Sequence, residues 1–437
     1  SLLKEWYLLP VTTIGANRCN SAIISSGEVI VIKVLHSGPA SSAGQNRENI
    51  RQHNLSIIMN LLYKGGTLAR SQLTSVTGLN RSTISDLVVE LEELGIITQS
   101  EAVTSGGVGR PSLSVSPSDN IVAFAVNPEI DATTVAVVTL SGEIVDKRRY
   151  PTKIQPAAQE AAKIAGQLIK DLIKALPAKT RIAGIGVAVP GQIRIDDGVV
   201  RLAPHLNWVE APIAAMIQQE TGLPTWVDND ATVSCMAERN FGSGRGASHC
   251  VYLFAGSGGI GGGVVVSGVQ LRGAAGYGSE LGHIQIFDSK KTDFSGLPGT
   301  LEALVKRDDL LEAFKLFGAT DDELDVEIAN TKDPKVIKLI NNQLDNLGRG
   351  IGVLATIFNP QIVVLEGFLD SIFKFNKERL LASVHASSLS SAHDGLVVSS
   401  GELGTKAVLV GAAGLAFAPL ISNPSGTEIY KLSKVSA

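Results

Sequence analysis

Cysteine is scarce in this sequence. Cys19, Cys235 and Cys250 are the only three in 437 residues. An odd, scattered set supports no disulfide framework and points to a reducing compartment. Neither sign of charge is in excess: 38 basic and 42 acidic residues leave a net charge of −4. No global field therefore draws the chain to nucleic acid or to a membrane, and any DNA contact has to be local. Long apolar runs are missing too. AVLVGAAGLAFAPLI, residues 407–421, is too short to span a bilayer; rich in Ala and Gly, it reads as a closely packed buried helix. The opening SLLKEWYLLPVTTIG lacks the basic-then-apolar order and small-residue cleavage site of a secretory leader. These absences lead us to expect a cytoplasmic protein without membrane attachment. What remains is 44% hydrophobic and 18% charged, an ordinary globular composition with length for two or three cores.

Residues 1–45 are assigned no role. EVIVIKVL has strand character, and HSGPASSAGQNREN reads as a polar, flexible linker. Residues 46–117 are helical and then turn-rich. In SIIMNLLYKG the residues Ile57, Ile58, Leu61 and Leu62 have the spacing of one buried helical face. In TLARSQLTSVTGLNRSTISDLVVELEELGII, Gly78 stands where a helix C-cap belongs and Asn80 where an N-cap belongs. The second helix is expected to bury Ile84, Leu87, Leu91 and Leu94, leaving Arg81, Ser82, Thr83 and Ser85 outward near its start. Two short helices joined by a tight glycine turn make a helix-turn-helix. ITQSEAVTSGGVGRPSLSVS reads as a two-stranded wing with a glycine-rich tip. The module is neutral overall, but its acids fall mostly on the back half of the second helix. Arg70, Arg81 and Arg110 fall where a groove-binding module wants cations. The competing interpretation is a helical pairing module with a solvated charged face.

From residue 118 to 437 strand and helix alternate, the order of an α/β domain. Two glycine-rich turns, GVAVPGQI and GSGGIGGGVVVSG, follow buried strands in separate halves, which suggests two lobes facing across a cleft. The motifs GVAVPG, APHLNW (203–208), VDNDA (227–231), AGSGGIGGG (255–263), ELGH (280–283) and GLPGTLEAL (296–304) resemble, in order and spacing, those of the ROK family of repressors, open reading frames and sugar kinases. The resemblance implies a two-lobed, actin-like sugar kinase fold. The winged helix-turn-helix in front resembles the arrangement of the family's transcription factors.

That resemblance carries a set of sugar ligands: Asn229, Asp230, Glu280, His283 and Glu302. In the family's kinases the residue matching Asp230 is the general base on a sugar hydroxyl. A carboxylate also accepts hydroxyl hydrogen bonds without any catalysis. Family members commonly hold the following loop with zinc, bound by the ELGH histidine and three cysteines. Here the cysteine positions are Asp293, Ser295 and Thr300, a poor zinc donor set. We therefore expect no metal, a loop held by turn chemistry and packing, and His283 free to touch ligand. The first phosphate loop reads AVNPEIDATT, with Asn127, Pro128 and Glu129 replacing the usual Asp and glycines. The late adenosine loop reads VLEGFLDS and keeps only Gly367. Phosphoryl transfer depends on positioning and charge neutralisation, so no catalytic residue and no cofactor are expected. The sequence leads to a sugar-responsive transcriptional repressor, a homodimer or homotetramer, binding operator DNA and a sugar or sugar phosphate. The alternative is an ATP-dependent sugar kinase that also binds DNA. His205 in APHLNW stands where the family commonly has Asn.

Overall fold

The computed structural model describes residues 21–25, 28–32, 47–101, 113–256, 258–316 and 318–432. It separates into two units, 1–50 and 51–437. In the first, Ser21–Ser25 and Glu28–Ile32 form an antiparallel hairpin, in register from Ser21 opposite Ile32 to Ser25 opposite Glu28. The strand expected in EVIVIKVL is the second of these. The polar stretch read as linker ends inside the helix Arg47–Gly65, and its residues 36–46 lie outside the described residues.

Three helices, Arg47–Gly65, Arg70–Thr77 and Arg81–Glu93, pack on a small sheet with strand order Leu68–Ala69, Ser114–Pro117, Ile97–Ser100. The turn between the second and third helices forms for local reasons. Gly78 takes φ 71°, a left-handed conformation that glycine adopts without a Cβ clash, and its N–H closes on Thr74 O. Asn80 Oδ1 then accepts from Thr83 N at 2.8 Å, the expected N-cap. The first helix buries Leu55, Ile58, Met59, Leu62 and Tyr63. Its face is thus rotated from the one expected: Ile57 and Leu61 are only half-buried, because Leu55 and Tyr63 extend the i, i+3, i+4, i+7 series in both directions. Ile84, Leu87 and Leu91 are buried as expected, joined by Val88; Leu94, at the helix C-cap, is half-buried.

The first lobe is built on a sheet ordered Thr225–Asn229, Arg181–Val189, Ile121–Pro128, Ala132–Thr139, Ile144–Pro151, with Tyr430–Lys431 pairing onto the start of Arg181–Val189. The first three of these strands are parallel, and the last two continue antiparallel. Residues alternate between two apolar layers. Val122, Phe124, Val126, Val135 and Val137 share a core with the helix Ala158–Ala175. Ala123, Ala125, Ala136 and Ala183 share one with the helix Ala407–Ser422. Only together with the turn Gly404–Lys406 before it is that helix long and apolar enough to pass for a membrane span, and its small residues let it lie directly on the sheet. A Cβ at Gly186 would come within 1.7 Å of Ala412 O. The second lobe carries a sheet ordered Val269–Gln270, Gly259–Val266, Cys250–Gly256, Ile362–Gly367, Val397–Ser400, covered by the helix Pro334–Phe358 and shorter helices. Asp228 and Asn229 at the end of one sheet's edge strand and Gly261 and Gly262 of the other sheet line one small cavity, and strand ends are where open α/β sheets receive ligands.

Candidate functional site

Two surfaces hold the residues singled out by sequence. On the winged module, Arg81 and Ser82 are exposed, and Thr83 and Ser85 are half-buried at the start of Arg81–Glu93. Ser82 Oγ also donates to Asn80 Oδ1 at 2.7 Å, so part of its capacity goes to the cap. Arg70 is placed differently from expectation. Its Nε donates to Gln99 Oε1 at 2.8 Å and its Nη1 to Ser85 Oγ at 3.2 Å, so it ties the two helices and the wing strand together. Arg110 and the wing's glycine-rich tip lie outside the described residues. The acids behind the helix are engaged inside the module: Glu90 takes Arg51, and Glu92 takes Gln99 Nε2 at 2.6 Å.

The module rests on the first lobe. Arg181 Nη2 donates to Gly95 O at 2.6 Å. Tyr63 meets Phe241 edge to face, with ring centroids 5.0 Å apart. Phe241 is the last residue of the helix Asp230–Phe241, whose first residue belongs to the candidate sugar site.

At that end, Asn229 caps the helix. Its Oδ1 accepts from Thr232 N at 3.0 Å, and its Nδ2 donates to Gly191 O at 3.1 Å. Half of its hydrogen-bonding capacity therefore positions the turn. Asp230 follows, with burial pushing its carboxyl above the ordinary range. Asn229 and Glu280 line one small cavity with Gly191, Asp228 and Gly261. Glu280 is exposed as a residue, yet partial desolvation of its carboxyl raises it, opposed by His283 and helped by the charges of Asp230 and Glu302. The sequence-derived carboxylates and histidine thus converge on one region. Sequence reasoning missed the buried Asp228, whose Oδ2 takes Arg272 Nη1 at 2.6 Å on the cavity wall. Nothing in a lone Arg within LRGAAG signals that pairing.

Glu302 is not an ordinary exposed helix residue. It is buried, and its Oε2 accepts from Ile260 N at 2.8 Å, fastening the loop helix to the glycine-rich turn. Gly259 (φ 106°) is required there, since a Cβ would fall 2.1 Å from that oxygen.

The cysteine-free loop is organised around Asp293. Its Oδ2 meets His283 Nδ1 at 2.8 Å and accepts from Thr300 Oγ1 at 3.0 Å, while its Oδ1 accepts from Leu297 N at 3.0 Å. Burial alone would raise this carboxyl, but the bonds from His283, Leu297 and Thr300 outweigh it and hold it below the ordinary value. The expectation that His283 is free for ligand is corrected to this extent: Nδ1 is held by Asp293, and only the Nε2 side remains. Ser295 is exposed and takes no part. Among the described residues, His283, Asp293 and Glu302 place ligand atoms within 4.8 Å of one another. However, those oxygens already have protein donors, and no thiolate is present to close a zinc tetrahedron, so the donor set does not fit a structural zinc.

The nucleotide side is altered in both places flagged from sequence. Pro128 and Glu129 belong to a tight strand connection in which Glu129 N bonds Ala132 O at 2.7 Å. The Glu129 carboxylate is taken by Thr134 Oγ1 at 3.0 Å and Arg149 at 3.5 Å. In the late loop, Glu366 replaces glycine beside the fully buried Glu238. Its Oε2 is buried without a partner, and a Cβ at Gly401 would lie 2.2 Å from it. Burial, with the Glu238 charge second, pushes Glu366 up to about 7. Carboxylates thus stand where a polyphosphate nucleotide needs neutral backbone and cations.

Residues 126–418 match the model of the ROK family. The xylose repressor of Caldicellulosiruptor bescii is 25% identical over 395 residues, covering 87% of this chain and 99% of that protein. This is more of the chain than the two lobes can supply, so the likeness extends into the winged module. A glucokinase of Halalkalibacterium halodurans is 30% identical over 262 residues, covering 55% of this chain and 79% of the enzyme. Among solved structures, a ROK family transcriptional regulator, a homologue of the Escherichia coli Mlc protein, superposes with a TM-score of 0.71 at 22% identity over 85% of this chain and 97% of its own.

Proposed function

The chain belongs to the ROK family, and on that footing we propose that it is a sugar-responsive DNA-binding transcriptional repressor whose cleft binds its effector without phosphorylating it. One observation carries the proposal. The sugar-facing carboxylates are kept beside a winged helix-turn-helix, whereas the two flanking nucleotide loops hold Glu129 and Glu366.

The DNA-binding face is Arg81, Ser82, Thr83 and Ser85 at the head of one helix, with Arg110 of the wing. Arg70 supports that face by bonding Ser85. A homodimer would set two such helices in successive major grooves, about 34 Å apart. The effector is held by Asn229, Asp230, Glu280, His283 and Glu302. Asp230, Glu280 and Glu302 make the region acidic, and Arg272, a nearby cation, is already paired with Asp228, so a neutral sugar fits better than a sugar phosphate. The name of the Caldicellulosiruptor bescii relative makes D-xylose the first candidate.

The helix Asp230–Phe241 connects the two activities. Its first turn touches the effector region and its last residue packs on Tyr63 of the DNA module. On the same helix, Glu238 accepts from Ser243 N at 2.8 Å and from Leu403 N at 2.6 Å, joining both crossings between the lobes. Effector binding that favours one lobe arrangement therefore shifts the module's seat, and the recognition helices lose the operator's spacing.

The test is capture of fragmented source-genome DNA by the purified protein at a stated physiological salt, since the phosphate contribution depends steeply on salt. Enrichment of a few inverted repeats, abolished by Arg81→Ala and relieved by sugar, is the expected result. A second function is favoured only by the half-buried Asp230, whose carboxyl is raised by desolvation and so suits a general base. ADP release requiring both sugar and Mg-ATP, lost in Asp230→Asn, would establish a kinase instead.

A further inference from the structure

Several described side chains bury a polar atom without a partner, and one of them, His205, stands beside Asp230. His205 sits in the turn Pro204–Leu206, which is pinned by buried Leu206 and by Trp208, whose Nε1 donates to Pro156 O at 3.0 Å. This anchoring fixes the imidazole, and its Nε2 is buried without a hydrogen bond. Burying a polar nitrogen and leaving it unmatched is unfavourable unless something else supplies the partner. The surroundings indicate what that partner is. Gly258, at the turn of the glycine-rich hairpin, leaves room that a Cβ would take: such an atom would be 3.4 Å from the ring's Cδ2 and 3.6 Å from Nε2. Asp230 is close enough for the His205 charge to act on it. Phe294 lies between the two histidines, 5.3 Å from the His205 ring and 5.4 Å from that of His283.

From this we infer that His205 is an effector ligand: Nε2 takes a hydroxyl of the sugar next to one held by Asp230, and Phe294 covers an apolar C–H face of the same ring. The inference rests on the proposed sugar-binding role of the cleft and extends it to a further side chain beside Asp230. A pyranose suits the arrangement because it offers hydroxyl donors around its rim and C–H bonds on its faces. An imidazole nitrogen both accepts and, in the other tautomer, donates. It reaches further than the shorter amide commonly found at this position, so it selects the stereochemistry of the hydroxyl it reads.

The experiment is calorimetric titration of the full chain with D-xylose and D-glucose as probes, on wild type, His205→Ala, His205→Asn and Asp230→Asn. Nitrogen-15 NMR of the histidine imidazoles follows wild type with and without saturating sugar. The expected result is a three- to tenfold loss of affinity in both His205 variants, about the effect of one neutral hydrogen bond. Operator binding stays intact, and the His205 Nε2 resonance shifts when sugar saturates the wild type. Affinity within twofold of wild type in both His205 variants, with binding lost in Asp230→Asn, would overturn the role of His205 and leave the sugar site standing. Loss of affinity without a shift of that resonance would also overturn it, because the ring would then be structural only. Failure of the wild type to bind either sugar would overturn both.

Discussion

Removing the Asp293 carboxylate should open the loop that other family members commonly close with zinc. In Asp293→Ala, His283 Nδ1, Thr300 Oγ1 and Leu297 N all lose their acceptor. Each such bond contributes on the order of 1 kcal/mol net, and a buried donor left unmatched costs about as much again. Thr300 is buried, whereas Leu297 is exposed and can turn to water. The closed loop should therefore lose about 2–4 kcal/mol. The rest of the fold is held elsewhere, so the loss is local: amides of residues 285–300 exchange faster while the sheet amides do not. Sugar affinity falls as well, since the ring of His283 is no longer oriented. The acid limit has a definite sign. Asp293 titrates below the ordinary value of 3.8, so its contribution is present above about pH 4 and is lost as pH falls through the lowered value. The converse substitution, Asp293→Cys with Ser295→Cys and Thr300→Cys, should create zinc binding with His283 as fourth ligand. Hydrogen exchange with and without a chelator is the assay. Unchanged exchange in Asp293→Ala, or faster loop exchange in chelated wild type, would refute the hydrogen-bonded staple.

Three further outcomes are expected. Glu366→Gln should stabilise the protein increasingly as pH rises. The wild-type carboxyl, pushed up to about 7 from 4.5, makes the fold lose stability through that interval, by up to about 3 kcal/mol; parallel melting curves of wild type and variant across pH 5–8 would contradict it. Arg81→Ala should cost operator affinity at least about tenfold without changing sugar affinity, as read by fluorescence anisotropy and calorimetry; a fall in sugar affinity would mean the two surfaces are misassigned. Phe241→Leu should leave sugar and operator binding near wild type separately but weaken the effect of one on the other, by about 0.5–2 kcal/mol of coupling; full coupling in the variant would exclude the Tyr63–Phe241 contact from the transmission.

The fold was legible wherever local rules act alone. Gly78 and Asn80 announce the turn between two helices, and their conformations are those the residues themselves favour. The late Ala/Gly-rich run could be read as a core helix because small residues permit the close approach seen at Gly186. Legibility failed where a partner comes from far along the chain. The position of Arg70 suits a groove-binding cation, but its acceptors Ser85 and Gln99 arrive from two other elements and are invisible in the local sequence. The absence of cysteine in the loop argues against a zinc thiolate site, but nothing in DFSGLPGT shows that one carboxylate collects three donors. His205 was visible only as an unusual residue. Its significance lies in an unmatched nitrogen, which depends on the neighbours that bury it.

The most direct test of the central claim is to follow a captured operator by anisotropy while D-xylose is added, with and without Mg-ATP, measuring ADP in the same samples. The expected result is a sugar-dependent change in operator affinity that is the same in both conditions and abolished in Asp230→Asn, with no ADP formed. An operator response that requires Mg-ATP, or ADP accumulating with sugar, would contradict a sensor that reads its effector without phosphorylating it.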